Sequence, residues 1–146
     1  MKRWFESLLS ELHAELLKPL GFRKTGHTIS RGMQGYDERF NFQGSSWNSS
    51  GVRWRFYLNC GIEFTDLPPE RQWSYFPHTH WAGRAGQLVP TAPSEWEYGP
   101  ATDPTALKKQ LHAIVLEGSR QFALRATSLR ASYLGKLERR RQHTGA

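Results

Sequence analysis

The segment VRWRFYLNCGIEF, residues 52–64, leaves this chain little choice of architecture. Val52, Trp54, Phe56, Leu58, Cys60, Ile62 and Phe64 share one parity, while Arg53, Arg55, Tyr57, Asn59 and Glu63 hold the other. Successive side chains of a β-strand point to opposite faces, so the first set forms an apolar face and the second a polar one. Antiparallel sheets with one wet side show this alternation, whereas parallel strands buried on both sides read as continuous apolar runs. A doubly wound α/β fold is thereby disfavoured.

The remaining segments arrange themselves around that strand. Phe5, Leu8, Leu12 and Leu16 recur at helical spacing near the N-terminus, and Pro19 and Gly21 are set to stop that helix. GFRKTGHTISRG reads as a hairpin turning at Thr25-Gly26, since glycine supplies the positive φ of a tight turn. YDERFNFQ follows with Tyr36, Phe40 and Phe42 on one face and Asp37, Arg39, Asn41 and Gln43 on the other. Prolines punctuate residues 66–100, where PPERQW suggests a helical turn, HWAGRAGQLV an edge strand and SEWEYG a short strand. Thr102 or Asp103 then caps a helix with Pro104 in its first turn. Gly118-Ser119 and Thr127-Ser128 look like breaks, with a further helix from about Leu129.

The expected fold is α+β in one domain over residues 1–146. A helix (1–18) precedes an antiparallel meander of four to five strands with Pro-rich loops (21–98). Helices (103–141) then pack on one sheet face before a short tail (142–146). They must cover Trp54, Phe56 and Leu58, because an exposed apolar face of that size drives aggregation.

A chain of 146 residues with 38% hydrophobic content is long enough to bury a core without disulfides. The single cysteine suits a reducing compartment, and Glu6, Glu11 and Glu15 interrupt the leucine-rich start, so it reads as neither signal peptide nor membrane span. The expected location is cytoplasmic. The formal charge of +7 is uneven: residues 1–102 hold 11 Lys/Arg against 10 Asp/Glu, whereas residues 103–146 hold 9 against 3. Such asymmetry marks either an acidic partner or a solvated helix end whose arginines complement the helix dipole.

Taken together, LLKPLGFRKTGHT, NFQGSSWNSSG, FYLNCGIEF and HWAGRAGQL resemble the family catalogued as domain of unknown function 4304. The resemblance covers most of the chain and implies a small intracellular bacterial α+β domain. It implies no activity, cofactor or catalytic residue.

The chemistry worth weighing lies on the polar parity. Arg39, Asn41, Gln43, Arg53, Arg55, Tyr57 and Asn59 project together if the two best strands pair across GSSWNSSG. Guanidinium forks and carboxamides suit planar or anionic groups, although an ordinary wet face bonded to nearby loops gives the same pattern. Trp47 and Asn48 occupy the polar loop between those strands, where a tryptophan is either an anchor for a partner or a lid on the core. Arg84, flanked by glycines in AGRAG, sits where a guanidinium can approach a ligand or where the chain simply bulges. His78 and His80 in HTHW are weak metal candidates with no third ligand indicated by spacing. Cys60 falls on the apolar parity, the wrong place for a reactive thiolate. Common nucleotide-binding, serine-hydrolase and zinc-peptidase motifs are absent from the sequence.

The expectation is a non-enzymatic binding module, with no cofactor, that recognises a protein or anionic ligand and does not engage a membrane. Nucleic-acid binding through the basic C-terminal region and metal-assisted catalysis through His78 and His80 are the alternatives.

Overall fold

A computed structural model describes residues 2–46, 48, 53–70, 75–76 and 78–144. Helix α1 (Lys2–Leu12) continues through a π-helical turn (His13–Leu17) and a 3-10 turn (Lys18–Leu20), then ends at Gly21 with φ +93°. Strands β1 (Arg23–Thr25), β2 (Thr28–Gly32), β3 (Tyr36–Gly44) and β4 (Trp54–Phe64) form a continuous antiparallel meander. Strands β5 (Trp81–Arg84) and β6 (Trp96–Tyr98) share the far edge of β4: β5 pairs with Asn59–Ile62 and β6 with Trp54–Phe56. Between them lies the short helix α2 (Ala85–Leu88), and helix α3 (Pro104–His143) completes the chain. The architecture is α+β around a six-stranded antiparallel sheet.

Register fixes which residues share a face. Phe40 opposes Cys60, Phe42 opposes Leu58 and Gly44 opposes Phe56, so the apolar parities of β3 and β4 coincide. Ile29 joins them from β2 and Trp96 from β6. This layer packs against Phe5, Leu8 and Leu12 of α1 and Leu107, Leu111, Val115 and Phe122 of α3. Phe5, Phe40, Phe56, Leu111 and Phe122 are wholly buried. Burying a side chain of that kind contributes about 1.5–3 kcal/mol, so this layer dominates the stability of the fold.

The C-terminal region departs from the sequence-based expectation of two helices. Helix α3 runs unbroken for 40 residues through both Gly118-Ser119 and Thr127-Ser128. Gly118 is there for closeness: a Cβ at that position would lie 2.9 Å from Cε1 of Phe40. Ser119 turns its hydroxyl to Glu38 on the sheet at 2.8 Å. The pair that reads as a helix breaker is the contact between helix and sheet, and packing outweighs the roughly 1 kcal/mol propensity penalty of glycine. At the start of α3, Asp103 caps as expected, its Oδ1 accepting from the backbone N–H of Thr105 at 2.9 Å.

Two further differences concern the region after β4. The expected edge strand HWAGRAGQLV contributes only Trp81–Arg84 before turning into α2, because Gln87 Oε1 accepts the Arg84 N–H at 2.8 Å and starts the helix. Most of the expected helical turn PPERQW lies outside the described residues, and Pro68–Glu70 are not helical. The segment also covers part of the polar sheet face. Phe76 and Thr79 are buried over Gly61, where a Cβ would meet Thr79 Cγ2 at 2.8 Å.

Candidate functional site

The polar face divides into three clusters, an ion-paired group at each end and a hydrogen-bonded row between them. At its centre, Asn59 is fully buried in the middle of β4. Its Nδ2 donates to Asn41 Oδ1 at 3.2 Å and to Gln43 Oε1 at 3.1 Å. Its Oδ1 accepts from Arg84 Nη1 at 2.9 Å, and the same guanidinium nitrogen donates to Gln43 Oε1 at 3.0 Å. Asn41 Nδ2 extends the row to Thr28 Oγ1 at 3.0 Å. On the other side the Arg84 guanidinium stacks over the Tyr57 ring, 4.4 Å from its centroid. The result is a row of fixed polar side chains spanning β2, β3, β4 and β5.

The sequence pattern explains why these side chains meet. Antiparallel register places Asn41 opposite Asn59 and Asn59 opposite Arg84. Side chains directly opposite or diagonal across strands are close enough to bond. The glycine on the N-terminal side of Arg84 has a specific cause, since a Cβ at Gly83 would collide with the amide oxygen of Gln87 that opens α2. Beside the row lies an open cleft of about 410 Å³, lined by Gly26, His27, Asn41, Phe42, Gln43, Gly44 and Tyr75. Two members of the row therefore form one wall of the cleft.

The other candidate residues are placed elsewhere. Arg39 pairs with Glu63 at 3.0 Å and approaches Asp37 at 3.6 Å. It shares a small cavity of about 100 Å³ with Glu63, Phe76, His78 and Thr79. Arg53 and Arg55 both approach Glu97, at 3.0 and 3.7 Å, on an exposed end of the sheet. Asn48 bonds the backbone of Arg55: its Nδ2 donates to the Arg55 carbonyl at 2.7 Å and its Oδ1 accepts the Arg55 N–H at 2.8 Å. Trp47 lies outside the described residues. His78 is exposed, whereas His80 is buried with both ring nitrogens engaged. His80 Nδ1 accepts the Phe64 N–H at 2.9 Å, which leaves Nε2 to donate to the Pro68 carbonyl at 2.7 Å. Among the described residues, no group of three or more His, Cys, Asp or Glu is placed to hold a metal ion. Burial pushes the Cys60 thiol well above its ordinary range, with the Glu38 charge adding to the shift.

Sequence reasoning misses one polar cluster, on the opposite face of the sheet. Glu38 shares the apolar parity of β3 and is wholly buried. Its Oε1 accepts from Arg31 Nε at 3.0 Å and from the Ser119 hydroxyl at 2.8 Å. Its Oε2 is buried without a hydrogen-bond partner. Desolvation raises the Glu38 pKa above the ordinary carboxylate value and outweighs the opposing pull of Ser119 and Arg31. The only sequence signal was a carboxylate at an apolar-parity position; its partners lie on β2 and, 81 residues away, on α3.

A family model matches residues 13–120 of this chain, so the matched region holds every residue of the amide row. The chain belongs to the family described as a domain of unknown function, DUF4304. The DUF4304 match ends inside α3, leaving residues 121–143 of that helix beyond it. No curated protein and no solved structure gives a significant match. No helix among the described residues is long and apolar enough to cross a membrane.

Proposed function

We propose that this protein is a binding module whose recognition site is the amide row and its adjoining cleft. The observation that carries this reading is the continuous hydrogen-bonded path Thr28–Asn41–Asn59–Gln43–Arg84. Carboxamides neither gain nor lose protons in the range a protein experiences, so a site built from them is suited to holding a ligand rather than to moving its protons. Fixing these side chains within the fold means that less conformational entropy is lost on binding.

The ligand chemistry follows from the wall of the cleft. Asn41 and Gln43 present donors and acceptors, His27 and Tyr75 add aromatic edges, and Gly26 and Gly44 leave backbone exposed for close approach. Such a wall fits an amide or carboxylate carried on an extended peptide or a small molecule, bonded to the carboxamides and stacked beside the rings. Arg53 and Arg55 stand with Glu97 at the sheet end and are outside this site.

Backbone-amide NMR titration with a library of extended peptides bearing free C-terminal carboxylates tests the reading. Shift changes are expected at Gly26, His27, Asn41, Gln43 and Gly44, and Gln43→Ala should abolish them while Arg53→Ala leaves them intact. Perturbations confined to other surfaces, or unaffected by Gln43→Ala, refute it.

A further inference from the structure

Past Phe122, helix α3 changes character. Residues 121–146 carry Arg125, Arg130, Lys136, Arg139, Arg140 and Arg141 against Glu138 alone. Two of these cations fasten the helix to the body of the protein. Arg130 makes a bidentate pair with Asp66, and Arg140 reaches Glu70 at 3.0 Å. Between them the Tyr133 hydroxyl donates to the Pro68 carbonyl at 3.0 Å. Phe122, Ala126, Leu129, Tyr133 and Leu137 recur at spacings of three and four, so they form the attached side.

The flank about a quarter-turn from that side is different. Arg125, Ser132, Lys136, Arg139 and His143 follow one another at intervals of seven, four, three and four, which keeps them on one face of a helix. At 1.5 Å per residue that face extends about 27 Å. Lys136, Arg139 and Arg141 have no acidic partner among the described residues, and Arg125 makes only a long bond to the Gln87 carbonyl at 3.4 Å. The only carboxylate on this half of the helix, Glu138, falls on another side of it.

We infer that this flank of α3 binds the phosphate backbone of double-stranded nucleic acid. A rod of cations along some 27 Å matches a polyanion of regular charge spacing, and its hydroxyl and guanidinium groups are ordinary phosphate donors. An anionic membrane is a poorer match. An interfacial helix needs a continuous apolar side to insert; Leu129 and Tyr133 are packed on the body, and the exposed Leu124 and Leu134, ten residues apart, form no such side. The contacts are to backbone, so the binding has no base preference. It is independent of the cleft on the sheet, which lies on a region of near-zero net charge.

Fluorescence anisotropy with labelled 30-base-pair DNA and RNA duplexes, run from low to moderate salt, tests the inference. Phosphatidylserine-containing vesicles serve as the competing arm. Wild type should bind duplex with a log–log salt slope of about −3 to −4, from a slope of about −0.9 per phosphate neutralised. The variant Arg125→Gln/Lys136→Gln/Arg139→Gln removes two exposed charges and that of the half-buried Arg125, and breaks no ion pair. It should bind roughly 100-fold more weakly at low salt and lose about 3 from the slope. Arg53→Gln/Arg55→Gln, which changes the sheet end, should bind like wild type. Absence of duplex binding at low salt overturns the proposal. So does equal weakening by the sheet-end variant, or capture of the vesicles with neither duplex bound. Tighter binding of one duplex than the other, with the same loss in the helix variant, supports it and identifies the preferred helical form.

Discussion

The two faces of this sheet solve the same problem with opposite chemistry. Each carries a cross-strand polar cluster anchored by an arginine. On the helix-covered face, Arg31 and Ser119 meet the buried carboxylate of Glu38, one of whose oxygens is left without a partner. On the other, Arg84 meets neutral amide oxygens of Asn59 and Gln43 beside an open cleft. A charge enclosed among phenylalanines requires its counter-charge for the fold to survive, whereas an amide row bordering solvent tolerates loss of a member. The first cluster is sealed inside the architecture and the second borders an open cleft.

The largest test of that contrast is Arg31→Ala. It leaves Glu38 enclosed with Ser119 alone, and chemical denaturation near pH 8 should show a loss of about 3–5 kcal/mol. The loss should shrink in acid, where Glu38 takes up a proton and no longer needs the guanidinium. Next is Gly118→Ala, whose methyl group must push into Phe40. Despite better helix propensity it should destabilise by about 1–3 kcal/mol, measured the same way. On the polar face, Asn59→Ala removes the hub of the amide row and should cost about 1–2 kcal/mol. An Asn59 effect equal to that of Arg31 would erase the distinction between the two faces.

A pH series sharpens the comparison further. Because the folded pKa of Glu38 is raised, the folded protein binds this proton more tightly than the unfolded chain does. The associated stability is fully present below the ordinary carboxylate value of 4.5 and is lost as pH rises through that value toward the folded one. Thermal midpoints of wild type relative to Glu38→Gln should therefore decline as pH rises, and a flat difference would show that Glu38 titrates normally. The smallest effect belongs to Arg53→Ala, an exposed ion pair at the sheet end, which should change stability by less than about 0.5 kcal/mol.

These contrasts also show what a sequence can and cannot reveal. The alternation of β3 and β4 is readable because the period of two is local, and it assigns Asn41, Gln43, Tyr57 and Asn59 to the face opposite the core. Arg84 joins them from 25 and 41 residues away, and only its small neighbours hinted at unusual packing. Glu38 was invisible for the same reason: its partner Ser119 sits in a Gly-Ser pair whose local propensity suggests a helix end. Local chemistry proposes a break at that pair, and a contact with Phe40 overrules it. Arg53 and Arg55 have the right parity for the amide row but lie too far along the strand to reach it, which parity alone does not register.

One oxygen atom ties the halves of the molecule together. The Pro68 carbonyl accepts from the ring of His80, which also receives the final amide of β4, and from the phenol of Tyr133 on α3. The C-terminal part of α3 is thus tied through one carbonyl to the terminus of β4. Two donors converging on a single carbonyl therefore join the longest helix to the end of the longest strand.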